Sequence, residues 1–162
     1  MGSTIVGATL DRTWTADQLK QEGSGAKAGD TYCSATGINE YVFVSASSAI
    51  AANDCVAITN AYAAAPVTKA LADAGNKIGV AQIAIASGSY GWVQTRGVGS
   101  VNVLASAASG AALYTTATAG KLDDTATSQT LIESLKLTAT NGGSTAAVAF
   151  IAPTEMHAPL AG

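Results

Sequence analysis

Between residues 79 and 124 the chain carries only short apolar runs, each ended by a turn containing Gly, Ser or Asn. Runs of this length fall short of a typical helix of about 11 residues, yet they suit consecutive antiparallel strands. The stretch is predicted to form a β-meander of four strands. Within it, Trp92, Gln94 and Arg96 share one face of their strand, and Val93 and Thr95 share the other. In the next strand Val101 and Val103 lie opposite Asn102 and Leu104. Such a pattern suits a sheet whose second face is partly covered, either by another sheet or by a neighbouring subunit.

Further strand signals flank the meander. Tyr41 and Phe43 alternate with Val42 and Val44, and a second strand is expected over 54–59. Residues 61–66 read as a loop, with a short third strand over 67–70. A strand or brief helix is expected over 131–139, and a last strand over 146–152, stopped by Pro153. Roughly eight to ten short strands at this spacing predict an all-β fold, a small antiparallel β-barrel or β-sandwich. The β domain is assigned to residues 38–153, with an extended N-terminal arm over 1–37 and a C-terminal tail over 154–162. In the arm, Thr15 and Gln18 have capping-box spacing, which predicts a short helix over 16–21. The glycine-rich residues 23–29 lack the Gly-Lys-Ser/Thr ending of a phosphate loop and are expected to act as a flexible linker.

A chain of 162 residues is one domain with one sizeable core. Charged residues make up only 12%, about half of the usual ~25%, and small side chains dominate. Small side chains bury little area each, so stability must come from many strand contacts or from association. The few large residues, Trp14, Phe43, Tyr90 and Trp92 among them, mark core or interface positions. A net charge of −3 with scattered Lys and Arg argues against binding nucleic acid, which needs a basic patch. No run of eighteen apolar residues and no signal-peptide pattern is visible, so a soluble protein made in the cytosol, with no membrane partner, is expected. Cys33 and Cys55 are expected to remain reduced.

His157 stands in a Pro-flanked tail without supporting partners, and Asp123-Asp124 lacks the pattern of a calcium loop. Gly97-Val98-Gly99 lacks the third glycine of a dinucleotide fingerprint and joins strands instead of opening a helix. No catalytic residue, cofactor site or metal site is therefore assigned, and no enzymatic activity is expected. Trp92 beside Tyr90 could stack on a sugar, although such pairs more often belong to a core or an interface.

Three segments resemble the tailed-phage head decoration, or capsid cement, proteins: residues 77–82, the Tyr90-Gly91-Trp92-Val93-Gln94-Thr95-Arg96-Gly97 stretch, and residues 112–124. The resemblance spans about residues 40–152. It implies a β-tulip-like barrel without enzymatic activity, forming a homotrimer that binds the major capsid protein. The expected location is the capsid surface of a virion assembled in the host cytoplasm. The candidate capsid or subunit contacts are Ile5, Val6, Leu10, Trp14, Tyr90, Trp92 and Arg96. The first four would lie on an arm that reaches a neighbouring subunit. The alternative reading is a carbohydrate-binding or adhesion module on a virion or cell surface, with Tyr90 and Trp92 as its stacking platform.

Overall fold

A strand that alternates aromatic and β-branched residues, as 41–44 does, is apolar on both faces and needs cover on both. In the computed structural model, which describes residues 9–22, 26–127, 129–143 and 146–151, that strand is the hub of the chain. The elements run α1 (Ala16–Glu22), β1 (Thr31–Cys33), β2 (Glu40–Ala46), β3 (Cys55–Ile58), β4 (Ala63–Pro66), α2 (Lys69–Asp73), β5 (Lys77–Val80) and β6 (Tyr90–Asn102). They continue with β7 (Leu113–Thr115), β8 (Leu122–Asp123), β9 (Leu131–Ile132), β10 (Leu135–Leu137) and β11 (Ala146–Ile151). The all-β expectation holds.

The barrel closes because β2 pairs with β4 on one side and with β6 on the other, completing the ring β2-β4-β3-β5-β6. Every neighbouring pair in this ring is antiparallel apart from β2 and β4. Closure removes the free sheet edges that would otherwise invite pairing with other chains. Val42, Val44, Val56, Ile58 and Val93 fill the barrel together with Ile50 and Ile85. On the far side of β3 and β5, Cys55, Ala57 and Val80 pack against Leu113, Leu122, Ile132, Leu135 and Leu137. Those residues come from β10 and from a separate three-stranded sheet ordered β8-β7-β9. Sandwiched between two apolar layers, β3 is buried at every residue.

The meander differs from expectation. Residues 90–102 form one 13-residue strand instead of two strands joined by a turn, and β7 and β8 belong to the other sheet. The physical reason lies in a change of partner. Residues 90–96 pair with β2, and residues 97–102 pair with β11. The handover falls at Gly97, whose φ of +103° lies where residues with a Cβ are strained. The Gln94 side chain spans the irregularity, donating from Nε2 to the carbonyls of Arg96 at 3.0 Å and Val98 at 3.2 Å. The strand therefore bends without ending.

Two further corrections are local. The expected loop over 61–66 contains β4, and the expected strand over 67–70 gives way to α2, because the Thr68 hydroxyl caps a helix by accepting from the Leu71 N–H at 3.3 Å. Residues 131–139 split into two short strands that go to different sheets, β9 pairing with β7 and β10 with β11. The early helix is present as α1, and its capping box closes reciprocally: the Thr15 N–H donates to Gln18 Oε1 at 2.8 Å, and the Gln18 N–H donates to Thr15 Oγ1 at 3.2 Å.

At Gly97 a Cβ would run into Asn39 Oδ1 and come within 2.8 Å of the Ile38 carbonyl oxygen, in a backbone conformation already unfavourable for L residues. Gly97→Ala is expected to destabilise the fold by about 2 kcal/mol or more. Urea denaturation measures it, and unchanged stability would mean that the bend is not built on this glycine.

Candidate functional site

The outer face of the β2–β6 pair is where most of the candidate contact residues meet. Register sets Phe43 opposite Trp92 and Tyr41 opposite Gln94, so their side chains share the face turned away from the barrel interior. Phe43 is the centre of the layer. Its ring lies 5.1 Å from Trp92, 5.5 Å edge-on from Trp14 and 6.1 Å in a stacked contact from Tyr90, all within the range for favourable aromatic pairs. Tyr32 closes on Trp92 at 6.2 Å. Burial, and then the neighbouring Tyr32, pushes the Tyr41 hydroxyl above its ordinary pKa.

The segment preceding β2 covers this layer. Trp14 exchanges both backbone hydrogen bonds with Tyr90, at 2.9 and 2.7 Å. Gly29 and the Asp30 carbonyl bond both backbone groups of Phe43, and β1 pairs with the start of β2. Leu10 and Leu19 pack against the aromatic layer, and the Arg12 guanidinium sits 5.5 Å above the Trp14 ring. The expected arm over 1–37 is therefore corrected over residues 9–22 and 26–37, which are bound to their own barrel. Among their apolar side chains, Leu10, Trp14, Leu19 and Ala26 pack on the aromatic layer at the outer face of β2–β6. Ile5 and Val6 lie outside the described residues.

Trp14 and Trp92 are 6% and 3% exposed, which makes them internal packing groups. A ring this deeply buried offers no face to a sugar, so the Tyr90–Trp92 stacking platform is corrected as well. Arg96 remains at the surface in an ion pair with Glu40 across the strands, Nη1 to Oε1 at 3.0 Å. Beside it stand two features that periodicity did not single out, Ile38 at 56% exposure and Val98 at 50%. The Val98 N–H donates to Asn39 Oδ1 at 3.2 Å, which sets the two apolar residues on adjoining backbone at the bend of β6. The only signal for them was Gly97, the residue that turns the strand there. Among the described residues no group of three or more His, Cys, Asp or Glu gathers where it could hold a metal ion. His157 is not among the described residues. No described helix is long and apolar enough to cross a membrane.

No protein-family model, curated protein or solved structure matches this chain.

Two measurements test the site. Trp92→Ala should cost about 3–5 kcal/mol in chemical denaturation, the usual range for emptying a buried aromatic position, and a near-neutral result would contradict its place in the core. Both cysteines are free, Cys33 exposed and Cys55 buried. Burial, reinforced by the Asp54 carboxylate, pushes the Cys55 thiol far above its ordinary pKa, and the thiolate is the reactive form. A thiol reagent at neutral pH should therefore titrate one group in folded protein and two in denaturant.

Proposed function

We propose that this chain is a structural virion protein that binds the outside of a phage head as a homotrimer and cements neighbouring major capsid subunits. Its place is then the capsid surface, reached after assembly in the host cytoplasm, and its work is to bury surface rather than to catalyse. The observation that carries the reading is the bend of β6, where Ile38 and Val98 are exposed beside the Glu40–Arg96 ion pair. An apolar centre with a charged rim is the usual anatomy of a protein contact. Further support comes from the three segments that resemble capsid cement proteins. They contribute β5, the first half of β6, and the β7–β8 pair, within a barrel of the class that the resemblance implies. Binding the assembled lattice and not its free subunits would stabilise the head by mass action.

The test is co-sedimentation with expanded heads of the phage that encodes the chain, alongside light scattering of the free protein. Wild-type protein is expected to pellet with heads and to scatter as a trimer. Ile38→Asp and Val98→Asp should each weaken retention about tenfold or more, by burying an unpaired charge at the contact, while leaving thermal unfolding little changed. A chain that stays in the supernatant with saturating heads sinks the proposal. If the aspartate variants are retained as well as wild type, the contact lies elsewhere.

A further inference from the structure

The loop between β6 and β7 is laced to the segment that follows β10. The Gly110 N–H donates to the Leu137 carbonyl at 3.0 Å, the Ser109 N–H to Thr140 Oγ1 at 3.3 Å, and the Ser106 N–H to the Asn141 carbonyl at 2.9 Å. In return the Asn141 N–H donates to the Ala107 carbonyl at 2.9 Å. Asn141 is buried, and its Nδ2 donates to the carbonyls of Leu104, at 3.4 Å, and of Gly143. Its Oδ1 accepts from the Gly143 N–H at 3.4 Å. This seam keeps Ala107 in the core and holds Ser106 at a φ of +71°, where a residue with a Cβ is strained.

Asn141 is also the one asparagine of the chain that precedes a glycine. Asn39, Asn53, Asn60, Asn76 and Asn102 precede Glu, Asp, Ala, Lys and Val. The nucleophile of asparagine deamidation is the backbone nitrogen of the following residue, and a glycine leaves that nitrogen without the shielding of a Cβ. The Gly142 nitrogen attacks Asn141 Cγ, and the bond from Cγ to Nδ2 breaks. The proton of the Gly142 N–H departs with the amide nitrogen as ammonia, leaving a succinimide. Water then opens the ring at either carbonyl, restoring the N–H and giving aspartate or isoaspartate.

We propose that Asn141–Gly142 is a deamidation site gated by this seam, and that the reaction releases the seam irreversibly. In the closed seam both polar atoms of the amide are bonded and buried, which fixes the side chain. Reaction therefore proceeds from the fraction of molecules in which the segment opens locally. The product does not close the seam again. A carboxylate has no hydrogen to donate to the Leu104 and Gly143 carbonyls, and burial would set its charge against their two oxygens. Isoaspartate also lengthens the backbone by one carbon, which displaces the two bonds shared with Ser106 and Ala107. Opening relieves the strain at Ser106 and so works in the same direction. This release is independent of the contact at the bend of β6.

The experiment incubates full-length protein at mildly alkaline pH, in buffer and in urea. Mass spectrometry follows the tryptic peptide over 137–162, in which Asn141 is the only asparagine and glutamine is absent. Conversion of amide to acid in this peptide is expected to be about tenfold or more slower in buffer than in urea. At Gly142 an added Cβ meets nothing within 4 Å among the described residues, so Gly142→Ala should fold as wild type does and slow conversion in urea about tenfold. Asn141→Asp supplies one product directly. In hydrogen exchange its amides at positions 106 and 141 should exchange about tenfold or more faster than in wild type, while those of β2 stay protected. The proposal is overturned if wild type converts as fast in buffer as in urea, if Gly142→Ala converts in urea as fast as wild type, or if Asn141→Asp keeps its seam amides protected. Loss of protection throughout the barrel in Asn141→Asp overturns it too, because the release would then be unfolding of the whole chain.

Discussion

The pairing of β2 with β6 is the contact on which the other layers depend. It closes the barrel, and its register brings Phe43 and Trp92 together on one face and Val42 and Val93 on the other. Because both faces of these strands are apolar, each must be covered, and the chain covers them by different means. The inside is filled from β3 and from Ile50 and Ile85. The outside is covered by the N-terminal segment through Trp14, Leu10 and Leu19. A slip of one residue in this pairing would exchange the two sets of side chains and leave both layers unfilled.

The same strand pair explains how so few large residues suffice. Phe43, Trp92, Trp14, Tyr90, Tyr32 and Tyr41 are collected in one layer, where each contributes area that Ala and Ser cannot. Elsewhere the chain relies on close approach of backbones, which small residues permit. At Gly79 an added Cβ would lie 2.5 Å from Val93 Cγ1. Gly120 approaches the Asp54 carboxylate, which in turn accepts from the Ala51 N–H and the Asn102 amide, both at 2.9 Å. This clasp ties the start of β3 to the end of β6, and the Cys55 N–H, donating to the Gly120 carbonyl at 2.9 Å, ties the barrel to the loop between β7 and β8.

The surface left over includes one region of distinct character. At the bend of β6 an apolar pair adjoins a compensated charge pair, which suits contact with another protein. The region exists because the strand beneath it commits one face to a core and leaves the other free.

Much of this was legible in the sequence. Short apolar runs between turn residues determine an all-β chain, because runs of this length cannot bury a helical face. The alternation in 41–44 determines a strand with two apolar faces, and the Thr15–Gln18 spacing determines the start of α1. What the sequence did not contain was which face meets which partner. Leu10 and Trp14 demanded a surface, and an adjacent subunit and the chain's own barrel satisfy that demand equally well in one dimension. Gly97 looked like a turn because a glycine followed by Val-Gly usually ends a strand; only the pairing with β11 shows the strand continuing through it. Tyr114, Asp123 and Leu131 stand opposite one another on three strands, β7, β8 and β9. Register alone makes them neighbours, and register is decided by long-range pairing that no local pattern carries.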